Sequence, residues 1–194
     1  TSAQGIQTQN GGSAQIGSGS HIVSMNGGGL VASSNSSIDF IGGATADTRN
    51  TITVGGSYGA SAQQANTTVN LKNTDISVDR NGARAYALWA VSNGVLNAEN
   101  VTVKAANGVY GIVANGGGKT NLSGETQIDA SASNVAMIAD SGTSWIKGTG
   151  KMTIGGSLIA QNDGLIDLSM TAGSQLSGAV TSETGTANLN LTGT

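Results

Sequence analysis

Short runs of alternating aliphatic and polar residues recur along the whole chain. Val69 and Leu71 flank a polar residue, as do Ile76 and Val78, Val101 and Val103, and the trio Ile166, Leu168 and Met170. Period two sends successive side chains to opposite faces, so each run predicts a short, half-buried β-strand. The runs are bounded by Gly, Asn, Asp and Ser, which interrupt strands. The glycine and β-branched content opposes long amphipathic helices.

The runs sit inside a longer repeat: a small residue, aliphatics, a polar turn with Asn or Gly, then alternating aliphatics. Copies start at Ala87 (ALWAVSNGVLNAENVTVKA), Gly108 (GVYGIVANGGGKTNLSGETQIDA), Asn134 (NVAMIADSGTSWIKGTGKMTIGG), Ser157 (SLIAQNDGLIDLSMTAGSQLSG) and Ala179 (AVTSETGTANLNLTG). Weaker copies start at Gly5, Gly29 and Gly59. The spacing is roughly 21 to 30 residues, the range of solenoid coils. The expected fold is therefore all-β: a right-handed parallel β-helix with three sides, occupying residues 1–194 as one domain. Eight coils would make a rod about 40 Å long. Neither end shows a capping helix, so the chain is expected to be a fragment without end caps, a slice of a longer protein.

Stacking coils in register predicts columns of equivalent residues. Alignment of the copies puts Val91, Val113, Ile138 and Ile159 in one inward column. Asn93, Asn115 and Asp140 are expected in one turn column, extended by Asn35 and Asn10, because Asn and Asp tolerate left-handed backbone. Opposite charges are expected to pair between neighbouring coils, Lys72 with Glu99 and Asp79 with Lys104. Trp89 follows an inward Leu88 and should face outward. Both Trp89 and Trp145 are expected to serve packing or edges.

Composition sharpens this picture. Charged residues make up 10% of the chain and aromatics 3%, with 31 glycines, no proline and no cysteine. A core with so little aromatic volume must be thin, which suits a narrow stack of small aliphatics. Without disulfides, stability must come from strand ladders. A net charge of −3 with no basic cluster leaves no nucleic-acid footprint. No apolar run is long enough for a membrane-spanning helix, and Thr1 does not open a signal peptide.

The copies GVYGIVANGGG from Gly108 and NVAMIADSG from Asn134, each followed by polar strands, resemble the passenger domains of type V autotransporters, closest to the pertactin and AIDA-like adhesin group. The pattern spans about Gly5 to Gly193. The resemblance implies a secreted, cell-surface protein tethered at a Gram-negative outer membrane, with the membrane entering only through a C-terminal β-barrel absent from these residues. It implies an adhesin segment that attaches to a host extracellular-matrix protein or glycan, or associates with itself in aggregation and biofilm.

Candidate chemistry is sparse. His21 is the only histidine and lies in a strand-like run without a nucleophile context, so an exposed strand histidine is expected. The eleven Asp and Glu residues are spread thinly; Asp75 with Asp79, and Asp163 with Asp167, are the nearest approach to paired carboxylates. No catalytic residue, metal site or cofactor is expected, and the chain is expected not to be an enzyme. A polysaccharide-active β-helix lyase or glycosidase is the enzymatic alternative, and an inert structural stalk the other. Two long coils carry extra residues, GGATADTRNT and DRNGARAY, and solenoid insertions often form binding loops. Asp47, Arg49, Asp79, Arg80, Arg84 and Tyr86 are accordingly the candidate adhesion residues: Arg grips anionic groups bidentately and Tyr stacks.

Overall fold

A computed structural model describes residues 4–80, 85–106 and 108–193. The chain winds as a solenoid of parallel strands that form three stacks, one per side. The first face stacks eight strands: Ile6–Thr8, Leu30–Ser33, Tyr58–Gln63, Ala85–Val91, Val109–Asn115, Val135–Asp140, Ser157–Gln161 and Val180–Ser182. The second face begins with Ser13–Ile16 and Ser37–Ile41 and ends with Trp145–Gly150, Leu165–Thr171 and Thr186–Thr192. The third begins with His21–Ser24 and Asn50–Val54 and ends with Thr126–Asp129, Met152–Gly155 and Gln175–Ser177. In the middle coils, the strands Thr68–Val78 and Val95–Ala105 run through both the second and third faces. All pairings are parallel, each strand with its counterparts in neighbouring coils.

Left-handed residues make the corners. Asn73 (φ 48°) and Asn100 (φ 53°) bend those two long strands without a loop, and the glycines Gly124 and Gly150 do so in later coils. Between the first and second faces, Asn10, Asn35 and Asn93 take φ of 54°, 61° and 69°, as expected for residues that bond locally and tolerate this region. Asn115 and Asp140 are different. They end their strands, in register with each other and with Val91, and the turns beyond them use Gly116, Gly117 and Ser141.

The core is a thin stack of aliphatics. Val69, Leu71, Ile76, Val78, Val101, Val103, Ile166, Leu168 and Met170 are all buried, as the alternation predicts. On the first face the inward columns are Leu88, Ile112, Met137 and Leu158 beside Ala90, Ala114, Ala139 and Ala160. This corrects the expected column. Val113, Ile138 and Ile159 are in register, but their partner one coil earlier is Trp89, not Val91, and the column lies on the outer surface. The cause is local. At Ala87, Gly111 and Ala136 the strand places two consecutive residues on the core side (Ala87 and Leu88 are both fully buried), so counting by twos loses its phase there.

This bend is lined by a column of Gly5, Gly29, Gly59, Ala87, Gly111 and Ala136. A Cβ on Gly59 would lie 2.6 Å from the Ala87 carbonyl oxygen, and one on Gly111 would lie 2.4 Å from that of Ala136. Backbone of the next coil and core methyls such as Ile52 Cγ2 and Ile76 Cγ2 press close on this column, which is why it holds only small residues.

Candidate functional site

The structure divides the described candidate adhesion residues between the corner that carries Asp47 and Arg49 and the edge of the first face, where Arg80 and Tyr86 both bond Ser57. The first insertion forms the corner between the second and third faces, with a 3-10 turn at Ala46–Thr48 that leaves Asp47 exposed. Arg49 leaves this corner and spans coils. Its Nε lies 3.0 Å from Asp75 Oδ1 and 3.1 Å from Oδ2, and its Nη2 lies 2.6 Å from Oδ1. The same Nη2 donates to the Asn100 carbonyl at 3.0 Å. Asp79 and Arg80 follow the strand Thr68–Val78, with Arg80 Nη1 donating to Ser57 Oγ at 3.1 Å. Arg84 lies outside the described residues. Tyr86 sits on the first face.

Arg49 and Asp75 border a polar cleft of about 540 Å³ that also touches Asn73, Asn100, Thr102, Glu125 and Gln127. Its carboxylates are engaged. Asp75 is held by Arg49, and Glu125 accepts from Lys151 Nζ at 3.1 Å. That hydrogen bond, reinforced by the lysine charge, holds the Glu125 carboxyl below its ordinary value. A general acid acting near neutrality needs the opposite shift. No group of three His, Cys, Asp or Glu side chains able to hold a metal occurs among the described residues. His21 is exposed on its strand, with Nδ1 2.8 Å from Thr51 Oγ1.

The second face carries a ladder of amides. Asn70 Nδ2 donates to Asp39 Oδ1 at 2.7 Å, Asn97 to Asn70 at 2.8 Å, and Asn121 to Asn97 at 2.9 Å. In-register stacking brings these residues together, and every bond runs toward the preceding coil. The ladder continues in register through Lys147, Asp167 and Asn188. Trp145 stands beside it with Lys119 Nζ 4.6 Å and Lys147 Nζ 4.8 Å from its ring centroid. Lys72 and Glu99 pair across coils at 2.9 Å as expected. Asp79 and Lys104 do not share a level: Lys104 is in register with Ser77 before it and Asp129 after it. Asp129 is held below its usual value by the Ser131 hydroxyl, then by the Ser131 backbone N–H, with a lesser contribution from the Lys104 charge.

The first face carries a feature that sequence reasoning missed. Tyr58, Tyr86 and Tyr110 are in register on three successive coils. Trp89, facing outward as expected, joins them. Its ring centroid is 5.6 Å from Tyr58 and 5.2 Å from Tyr86, and Tyr86 is 6.1 Å from Tyr110. The rings are tilted by 30° to 53° and only partly buried. Tyr58 lies over Gly28 of the preceding coil, where a Cβ would come within 2.3 Å of the ring. The available signal was the shared context YGAS, YALW and YGIV, in which a small residue follows each tyrosine at the bend.

No family model matches the chain, and no solved structure matches it. The chain is 44% identical over 179 residues to a "Probable autotransporter YcgV" of Escherichia coli strain K12, covering 89% of this chain and 18% of that protein. It is equally similar over the same span to an uncharacterized YcgV protein of Escherichia coli O157:H7, covering 32% of that protein. The chain thus spans no more than a third of either curated relative. Together with the parallel solenoid, these similarities support an autotransporter passenger-like protein.

Proposed function

We propose that this chain is a passenger segment of a cell-surface autotransporter that acts by contact rather than catalysis, attaching the cell to a host matrix protein or glycan or to a neighbouring cell. The observation that carries this reading is the patch of Tyr58, Tyr86, Trp89 and Tyr110, partly exposed on the first face of a solenoid poor in aromatics. Partly exposed aromatic side chains are common at recognition surfaces, where a ring offers contact area at low entropic cost. The name of the K12 relative supports secretion and an outer-membrane tether; among the described residues no helix is long and apolar enough to cross a membrane.

The enzymatic alternative would use the cleft around Asp75 and Glu125. Both carboxylates are occupied by basic partners, which favours contact over acid–base work. Self-association is the second form of the same reading, and the amide ladder on the second face favours it, since stacked amides provide many weak, repeated contacts. The test is display of the whole chain on a non-adherent bacterium, with attachment to matrix- and glycan-coated surfaces and cell clumping as readouts. Attachment or clumping above that of cells displaying no passenger is the expected result. Cells that neither attach nor clump would reduce the segment to a stalk, and release of shortened polysaccharide would make it an enzyme.

A further inference from the structure

We propose that the Tyr58–Tyr86–Tyr110 column with Trp89 is a platform for a neutral polysaccharide, lying along the solenoid axis with sugar rings stacked on the aromatic rings. This rests on the adhesive reading above and specifies its ligand class.

Distribution points there first. The chain has six aromatic residues, and four of them form this patch. Of the other two, Phe40 is fully buried in the core and Trp145 has its ring against two lysines. The patch is not part of the core. Val31 and Val113, outward residues in the same column as Trp89, are buried yet stand apart from the central cluster. The aromatics therefore sit on top of a firm sheet, Tyr86 and Trp89 on one coil and Tyr58 and Tyr110 on the coils before and after it.

Spacing comes next. Parallel coils repeat every ~4.8 Å, and the neighbouring rings lie 5.2 to 6.1 Å apart. The coil repeat is about the length of one pyranose unit, so successive sugars of an extended chain along the axis meet aromatic rings on successive coils. The C–H face of a pyranose is attracted to the electron-rich face of an aromatic ring, with no charge required.

The surroundings favour a neutral, hydroxylated ligand. Among the described residues, the outward positions level with the rings are Gln63, Val91 and Asn115, with the buried Ser61 and Val113, none of them charged. Asn115 accepts from Trp89 with Oδ1 and keeps its amide N–H groups for a hydroxyl; Gln63 donates to Ser61 and keeps its carbonyl. Arg80, tied to Ser57 beside Tyr58, adds a donor at one end. A protein partner fits less well. The rings cover three coils, about 10 Å of rise, whereas a stable protein interface needs about 800 Å² on each partner.

The test uses the full chain carrying Trp145→Phe, which leaves Trp89 as the only tryptophan. Its emission is followed during titration with an unbranched neutral β-glucan, a neutral mannan and, for comparison, a sulfated polysaccharide. The expected result is a saturable change with a neutral polymer that added salt does not weaken. Tyr86→Ala and Tyr110→Ala should each weaken binding by about tenfold. Tyr86→Phe, which keeps the ring, should bind as the parent does, and it separates loss of stacking from loss of folding. Absence of any response to the neutral polymers while displayed cells still attach would overturn the proposal and leave the adhesive reading standing. Loss of both would end the two together. A response only to the sulfated polymer, or one that follows protein concentration alone with formation of dimers, would also overturn it.

Discussion

Trp89 donates its indole N–H to the Asn115 carboxamide at 2.9 Å, joining two coils through residues 26 apart in sequence. Asn115 is in register with Val91, two positions after Trp89, so the bond is diagonal across the outer surface of the first face. It fixes the ring that touches both Tyr58 and Tyr86.

Replacing Asn115 by Leu should therefore free the Trp89 ring. A net loss of about 1 kcal/mol is expected, since water can reach the indole once its partner is gone. In the Trp145→Phe background, Trp89 emission should move to longer wavelength and its anisotropy should fall. Unchanged emission would mean that the ring is held by stacking alone.

The bend on the first face should be intolerant of added volume. Gly59→Ala and Gly111→Ala each push a methyl group against a neighbouring coil's carbonyl oxygen. Each should cost about 1 to 3 kcal/mol, read as a lower urea midpoint. Gly148→Ala is the contrast. Its new methyl would meet the flexible ends of Met152 and Leu168, which can move aside, so its cost should be smaller. Because each coil contacts only its neighbours, the damage should be localised in hydrogen exchange to the coils beside the substitution.

Arg49 should act as a clip across three coils. It reaches Asp75 one coil on and Asn100 two coils on. Arg49→Lys keeps the charge but loses the bidentate fork. Faster amide exchange at Gly42 to Thr51 is expected, with a stability loss of about 1 kcal/mol because Asp75 is well exposed to solvent. Exchange at wild-type rates would show that the corner is held by its own backbone bonds.

The Glu125 carboxyl should titrate below its ordinary value of 4.5, because it accepts from Lys151 and feels that charge. A carboxylate with a lowered folded pKa contributes stability above the unfolded pKa and loses it as pH falls through the folded one. The Lys151–Glu125 contact should accordingly persist at neutral pH and open only on acidification below 4.5. Carbon-detected NMR titration of Glu125 measures this directly. Lys151→Met should bring the midpoint back up, and an unmoved midpoint would refute the assignment.

Period-two counting was reliable wherever a strand kept strict alternation. It placed Val69, Leu71, Ile76 and Val78 in the core and levelled Lys72 with Glu99. It failed on the first face, where the double inward step at Ala87, Gly111 and Ala136 shifts the phase and moves Val91 two positions away from Val113. Unequal coil lengths hid the rest. Asp79 seemed to face Lys104, but the register gives Lys104 to Ser77 and Asp129. Tyr58, Tyr86 and Tyr110 lie at intervals of 28 and 24 residues (86 − 58 and 110 − 86), so counting at a fixed period does not bring them into one column. Arg49 looked like a loop residue free to bind a partner because nothing local predicts that Asp75 and Asn100 arrive beside it.

Parallel, in-register stacking underlies the aromatic ladder, the amide ladder and the clip alike, and cysteine pairs test it directly in a chain that has none of its own. Thr102 and Gln127 are register partners on the third face, while Asp129 is offset from Thr102 by two residues. In-register neighbours lie ~4.8 Å apart and the offset pair ~8 Å, on either side of the ~7 Å limit for a disulfide. Under mild oxidation, the chain carrying Thr102→Cys with Gln127→Cys should crosslink rapidly within one molecule, and the chain carrying Thr102→Cys with Asp129→Cys should not. Preferential closure of the offset pair, or no closure of either, would contradict the register on which the stacked columns depend.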